Sequence, residues 1–410
     1  MDYEKRRQDL WSKMIDNSIL VLFAGEEIIR NADEFYEFTI NHSFYYFSGI
    51  EQKNSILVLK KINGLYYEEL YILNNDPLLA KWLGDFLRPE QACEISGIRE
   101  VHLLPEFPAA LAQAFLRQNL TNLYLDLEHQ RSDPYQGKRF RNWVVKEYPQ
   151  VKLHNCFADI AALRSVKDSE EIACLKKAIE ITGYGLEGLH STLRAGYYEY
   201  QIEALFQYNV KANGAKDLAF KTIAASGKNA TVLHYWANDC VIPEGALMLL
   251  DLGAKYQHYS ADITRTYPVN GIFTERQRQI YQIVLNGQKI VMESVRPGIS
   301  TGELDELLKA YYINELAKIG LLTSTEQLEN YYWHGVSHAI GLDTHDIGIS
   351  KDQPLVAGNI ISVEPGLYIS EWEIGVRIED DVLVTPSGFE NLSSAIPKEI
   401  AEIERTTNVQ

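Results

Sequence analysis

The second part of the chain repeats itself. Sliding the residues beyond 160 against themselves by 102 positions brings Arg194, Gly196, Glu203 and Leu205 onto Arg296, Gly298, Asp305 and Leu307. In each copy an amphipathic helix precedes the Arg-x-Gly turn and a second helix follows it. A His-bearing segment comes next, with His234 and His338 104 apart, and then an apolar strand carrying carboxylates. Such a duplication restricts the fold to two αα-plus-sheet halves, and a site between them would draw side chains from both.

Four acids occupy positions where an apolar strand has no use for them. Gly245-Ala-Leu-Met-Leu-Leu-Asp251 reads as a buried strand ending in a carboxylate, a costly place for an unpaired charge. After a turn signalled by Gly253-Ala-Lys-Tyr, the run Tyr259 to Tyr267 carries Asp262. If the two runs form a hairpin the aspartates face one another, and then they either share a proton or bind a cation. Ile360-Ile-Ser-Val-Glu364-Pro365 ends a third apolar strand on a glutamate, and the run Val376 to Val384 embeds the fourth acid, Glu379, followed by Asp380 and Asp381. Taken singly, each acid reads as a salt-bridge or turn residue. Together they are divided between the two halves and joined by the segment His334-Gly-Val-Ser-His338 to His345, which makes the donor set of a carboxylate-rich dinuclear metal site. The pair His334 and His338 imitates a helical zinc motif, but no Glu follows His334, and Gly335 and Gly341 favour a loop.

Residues 1–160 read as a separate α/β domain. Ser18 to Phe23, Ser55 to Leu59 and Leu123 to Leu127 have strand character, with helical patterns at Pro108 to Arg117 and Lys138 to Tyr148. At Asp168-Ser-Glu-Glu171 a capping box opens a long helix, which places the domain boundary near 160 and gives the second domain residues 161–410. Charge narrows the functions: 39 Lys+Arg against 56 Asp+Glu give −17, a field that repels nucleic acid and anionic membranes. No stretch reads as a signal peptide or a membrane span, so the expected location is cytoplasmic. Cys93, Cys156, Cys174 and Cys240 are scattered, without the spacing of a zinc ribbon or a disulfide framework.

The segments Leu250-Asp251-Leu252-Gly253-Ala254, Ala261-Asp262-Ile263-Thr264-Arg265-Thr266, His334-Gly-Val-Ser-His338, Val363-Glu364-Pro365-Gly366-Leu367-Tyr368 and Val376-Arg377-Ile378-Glu379-Asp380-Asp381 resemble the five signatures of the aminopeptidase P and prolidase family. Asp33-Glu-Phe-Tyr-Glu-Phe and Asn41-His-Ser-Phe-Tyr-Tyr-Phe-Ser-Gly-Ile resemble the N-terminal domain of aminopeptidase P more than that of prolidases. The resemblance implies an α+β protein whose catalytic domain has the pita-bread fold, behind a smaller α/β domain. It implies two divalent metal ions, Mn²⁺ or, in vitro, Co²⁺. Asp251 would hold one ion, His338 and Glu364 the other, and Asp262 and Glu379 would bridge them. Ala339 departs from the pattern, since relatives often carry an aromatic residue there, and puts the local pocket packing in question.

The activity implied is hydrolysis of the Xaa-Pro bond by a hydroxide bridging the two ions, releasing the N-terminal residue from peptides with proline second. Glu364 would shuttle the proton, and His234 and His345 would stabilise the oxyanion or the scissile amide. His334 and Tyr368 would shape the pocket, and Arg377 would support a ligand carboxylate. The nearest rival is an Xaa-Pro dipeptidase, a prolidase; the remote one is a silent binding module of the same fold. A homodimer or higher homo-oligomer is expected, with proline-containing peptides as substrates. Gly298-Ile-Ser300-Thr-Gly302 imitates a serine-hydrolase elbow, but no strand precedes it and Ser300 with Glu303 makes a capping box. Gly227-Lys228 lacks the rest of a phosphate-binding loop.

Overall fold

The computed structural model describes residues 1–128, 136–190 and 192–406. Two compact units divide the chain, Met1–Arg164 and Ser165–Gln410. The first is built on a six-stranded mixed sheet of β1 (Ser18–Phe23), β2 (Ile56–Ile62), β3 (Leu65–Ile72), β4 (Val101–Leu103), β5 (Asn122–Leu125) and β6 (Lys152–Asn155). Its order is β4-β3-β2-β1-β5-β6. Ile19, Val21, Val58 and Leu123 form a core with Leu111 and Phe115 of α1 (Phe107–Leu116) and Val144 of α2 (Gln136–Glu147). Short apolar runs become strands here because helices cover them, as the α/β pattern requires.

The second unit contains the repeat. Its first half comprises α3 (Ser169–His190), α4 (Glu199–Ala212), β7 (Ile223–Ser226), β8 (Leu247–Leu252) and β9 (Ile263–Pro268). The second comprises α5 (Glu275–Ser294), α6 (Thr301–Lys318), β10 (Ile360–Val363), β11 (Gly366–Ile369), β12 (Ile374–Arg377) and β13 (Asp380–Thr385). The predicted caps are made: Asp168 and Glu171 bond reciprocally at the start of α3, as do Ser300 and Glu303 at α6. Gly196 and Gly298 both take positive φ, +86° and +94°, with nothing crowding them, so each turn needs glycine for its backbone and not for space. Gly196 N–H bonds Ile242 O and Gly298 N–H bonds Leu355 O, so each turn is sewn to the segment just before its central strand.

Those bonds also correct the repeat. Tyr197 O accepts from Ile242 N–H where Ile299 O accepts from Leu355 N–H; the acceptors are 102 apart but the donors 113. The second half has therefore gained 11 residues between α6 and its central strand, relative to the first. Leu249 stands opposite Ala225, and Ser362 N–H bonds His338 O, so the residue equivalent to His338 is Ala225 and not His234. By the same register Asp251 corresponds to Glu364. The segment around His338 is a loop in sequence pattern yet pairs along β10 through Glu364 N–H to Val336 O, Ser362 N–H to His338 O and Ile340 N–H to Ile360 O.

Candidate metal centre

Most of the acids occupy breaks in the ladders. Asp251 lies inside β8, opposite Thr264, but the run Tyr259 to Tyr267 is not one strand. Tyr259–Ser260 closes a small hairpin with Lys255–Tyr256, the chain breaks at Ala261-Asp262, and β9 begins at Ile263. The crossing is tight: a Cβ on Gly253 would lie 1.9 Å from Ala261 O. Glu364 falls between β10 and β11, where Pro365 brings no N–H to a ladder. The run Val376 to Val384 is also broken, at Ile378-Glu379, and Glu379 N–H crosses to Thr264 O of the other half at 3.0 Å. A strand leaving one ladder for another frees side chains from the alternation, and that lets acids from both halves converge.

Convergence is complete for the five expected ligands. Asp251, Asp262 and Glu379 offer oxygens within 4.8 Å of one another, and so do donor atoms of His338, Glu364 and Glu379. Glu379 belongs to both groups. Asp262, His338 and His345 form a third. Asp251 Oδ1, Asp262 Oδ1 and Glu379 Oε1 are buried without a hydrogen-bond partner. Burial raises the pKa of Asp262 well above the carboxylate range, and Asp251, Asp381 and Glu364 push it further. Glu379 is raised likewise by burial, then by Asp262, Glu364 and Asp251. Unpartnered carboxylate oxygens that repel one another in a dry site are what divalent cations neutralise, so these residues fit the metal ions that the donor set implies.

His338 is oriented with one ring nitrogen on the backbone and the other on the acids. Its Nδ1 bonds the Ala339 carbonyl at 3.0 Å, so that nitrogen carries the proton. Nε2 therefore faces the carboxylates, 3.4 Å from both Asp262 Oδ2 and Glu364 Oε1. His334 differs. Its Nδ1 donates to Gly335 O at 2.8 Å, so its Nε2 accepts from Tyr368 Oη at 2.9 Å and is not free for a metal. Tyr368 Oη in turn accepts from Arg377, whose other arm donates to Asp251 Oδ2 at 2.5 Å. One chain of hydrogen bonds thus ties His334, Tyr368 and Arg377 to a candidate ligand.

The remaining predicted residues stand at the rim. His345 has its ring 4.3 Å from that of His338; burial and the neighbouring His338 lower its pKa, so it is neutral at pH 7. His234 is exposed, stacks on Trp236 at 5.6 Å and is near enough to act on the His345 pKa. Its loop is stapled by Glu199, fully buried, which accepts from Ser226 N–H, Ser226 Oγ, Asn229, Tyr235 Oη and Cys240 N–H. Sequence reasoning missed three supports. Thr264 Oγ1 donates to Glu379 Oε2 at 2.7 Å, Ser362 Oγ to Glu364 Oε1 at 3.2 Å, and Asp381 Oδ2 accepts from Asp262 N–H at 3.2 Å. Thr264 and Ser362 each lie two residues from a ligand acid, a strand-period signal that would have found them.

Family comparison agrees with this geometry. The model of metallopeptidase family M24 matches residues 173–386, and that of the aminopeptidase P N-terminal domain matches residues 3–124. The Xaa-Pro aminopeptidase of Haemophilus influenzae is 34% identical, over 99% of this chain and 97% of its own. That of Escherichia coli is 32% identical, over 98% and 96%. Among solved structures, a Bacillus anthracis chain described as an aminopeptidase P superposes with a TM-score of 0.97 at 43% identity, covering 99% of this chain and 97% of that one. Escherichia coli aminopeptidase P with the inhibitor Pro-Leu superposes at 0.92 and 31% identity, covering 99% and 97%.

Proposed function

The chain belongs to metallopeptidase family M24 and carries the aminopeptidase P N-terminal domain, and on that premise we propose that it releases the N-terminal residue from peptides with proline in second position. The observation that carries this reading is the convergence of Asp251, Asp262, His338, Glu364 and Glu379 with three buried carboxylate oxygens left unpartnered. It is supported by full-length similarity to Xaa-Pro aminopeptidases, which favours this activity over that of an Xaa-Pro dipeptidase. None of the described helices is long and apolar enough to cross a membrane. A cytoplasmic homo-oligomer acting on peptides fits this.

Asp251 would hold one divalent ion, His338 and Glu364 a second, with Asp262 and Glu379 shared. The mostly oxygen donor set favours Mn²⁺, with Co²⁺ as a substitute. Ions held there supply Lewis-acid polarisation of the scissile carbonyl and lower the pKa of water. Hydrolysis adds a hydroxyl to the carbonyl carbon, breaks the C–N bond and protonates the proline nitrogen. Glu364, half-buried beside His338, takes the proton from water and passes it to that nitrogen. Neutral His345, with His234, donates to the developing oxyanion or to the amide. His334 and Tyr368 wall the pocket, while Arg377 orients Asp251 through its hydrogen bond to Oδ2.

The test compares Xaa-Pro-Xaa with Xaa-Pro peptides, assayed with added Mn²⁺ and after chelation. Rapid release of the first residue from the tripeptide, abolished by chelator, is expected. Preference for the dipeptide would make the enzyme a prolidase. No turnover of either, with metal bound, would leave a binding module.

A further inference from the structure

A buried ion pair outside the metal cluster holds the loop that carries His345. Lys167 Nζ donates to Asp346 Oδ2 at 3.0 Å, and both side chains are only 1% exposed. As a brace alone, the pair is poorly chosen. Lys167 directly precedes Asp168, whose carboxylate caps α3 at Glu170 and Glu171 N–H, so its backbone lies at the positive end of a helix. Apolar residues of similar volume usually stabilise a core as well as a buried ion pair does.

What the pair fixes is geometry. The loop closes on itself where Asp346 N–H bonds Ala339 O at 2.8 Å, one residue after His338. The Asp346 carboxylate lies against the inside of this loop: a Cβ on Gly341 would meet Asp346 Oδ2 at 2.0 Å and Lys167 Cε at 3.0 Å. The backbone of Lys167 is itself tied down through its N–H to Gly358 O at 2.9 Å. Asp346 is therefore gripped by an anchored cation, and its chain neighbour His345 stands 4.3 Å from His338 with no hydrogen bond of its own among the described contacts that would hold the ring there.

We propose that Lys167 is a positioning residue which, acting through Asp346, sets where the His345 imidazole stands against the substrate. The inference rests on the catalytic reading of His345 above. Misplacing a catalytic group by about 1 Å can cost about 10²-fold in rate, so Lys167→Met should lower kcat by about 10- to 10²-fold with a smaller change in KM.

The experiment is a cycle of four proteins: the parent, Lys167→Met, His345→Ala and the double variant. Bound metal per chain, kcat and KM are measured on the same preparations. The expected result is retained metal in all four and a kcat loss from Lys167→Met that nearly vanishes in the His345→Ala background, since there is no imidazole left to misplace. An equal fold-loss in both backgrounds would make Lys167 a general brace and overturn the proposal, as would metal loss in Lys167→Met. A normal kcat in His345→Ala would instead overturn the catalytic reading of His345. If Lys167→Met does not fold, Asp346→Asn takes its place in the cycle and is judged by the same outcomes, because it removes the charge while keeping an acceptor oxygen.

Discussion

Gly185 of α3 lets Phe206 and Val210 of α4 approach, and Gly287 of α5 does the same for Leu308 and Tyr312 of α6. Each of these residues is 102 positions from its counterpart, so the helix pairs of the two halves repeat residue for residue. The strands do not repeat in the same way. Asp251 and Glu364 share a register position, but Ala225 stands where the second half has His338, and Thr264 opposes Asp251 where Glu379 would oppose Glu364. The first half thus supplies two aspartates in a tight antiparallel frame; the second supplies an imidazole and two glutamates at the rims of its ladders. The difference teaches that duplication gave a frame, while a metal site needed the halves to become unlike. Thr264 makes the point: it offers no ligand oxygen of the acid kind, but its hydroxyl holds Glu379 from across the divide.

The largest effect should come from the two residues through which the halves meet. Asp262 and Glu379 each take part in two candidate donor groups, so Asp262→Ala or Glu379→Ala should empty both metal positions and abolish peptidase activity. Asp251→Ala, confined to one group, should retain metal at the other. Metal analysis after dialysis reads this directly. Two tightly held ions in Glu379→Ala would dissolve the division of labour between the halves.

A smaller effect concerns the repulsion built in when the halves close. Asp262, Glu379 and Asp381 all have pKa values raised above the carboxylate range, chiefly by burial. Each therefore holds a proton more tightly folded than unfolded. In metal-free protein that contribution is fully present below the unfolded pKa, about pH 4, and is lost as pH rises towards the folded values, at about 1.4 kcal/mol per pH unit per group. Urea midpoints of chelated protein should accordingly fall between pH 5 and 8, and added divalent metal should remove the decline. A metal-free midpoint that climbs over this range would show that the carboxylates are compensated within the chain.

Much of this was legible beforehand for physical reasons. The caps at Asp168 and Ser300 and the turns at Gly196 and Gly298 are local, and local signals survive any tertiary context. The five ligand types were legible because acids in apolar runs are costly and demand an explanation. Pairing His234 with His338 failed because 11 added residues lie between the turn and the strand of the second half, where sequence carries no register. The broken runs at Asp262 and Glu379 also escaped notice: apolar residues flank both breaks, and only the crossing partners interrupt the ladders. Lys167 and Asp346 are 179 residues apart, and no periodicity links them.

The smallest effect tests the frame itself, at the two glycines that repeat. A Cβ on Gly185 would lie 2.5 Å from Cε2 and 2.7 Å from Cδ2 of Phe206, and 2.8 Å from Val210 Cγ1. On Gly287 the nearest atom is Leu308 Cδ1 at 2.8 Å, followed by Tyr312 Cε1 at 3.3 Å. A ring can yield only as a whole, and Phe206 is fully buried, whereas a leucine methyl moves by a small rotation. Against both clashes stands the helix-propensity gain of alanine over glycine, about 1 kcal/mol. Overpacking costs about 1–3 kcal/mol, so Gly185→Ala should be destabilising by about 1–2 kcal/mol and Gly287→Ala close to neutral. Neither glycine touches the metal cluster, so kcat with saturating metal should stay within about twofold of the parent in both. Denaturant unfolding of the two variants measures the difference. Equal losses would mean that the halves tolerate strain alike, and a greater loss at Gly287 would reverse the comparison by showing the second helix pair to be the stiffer.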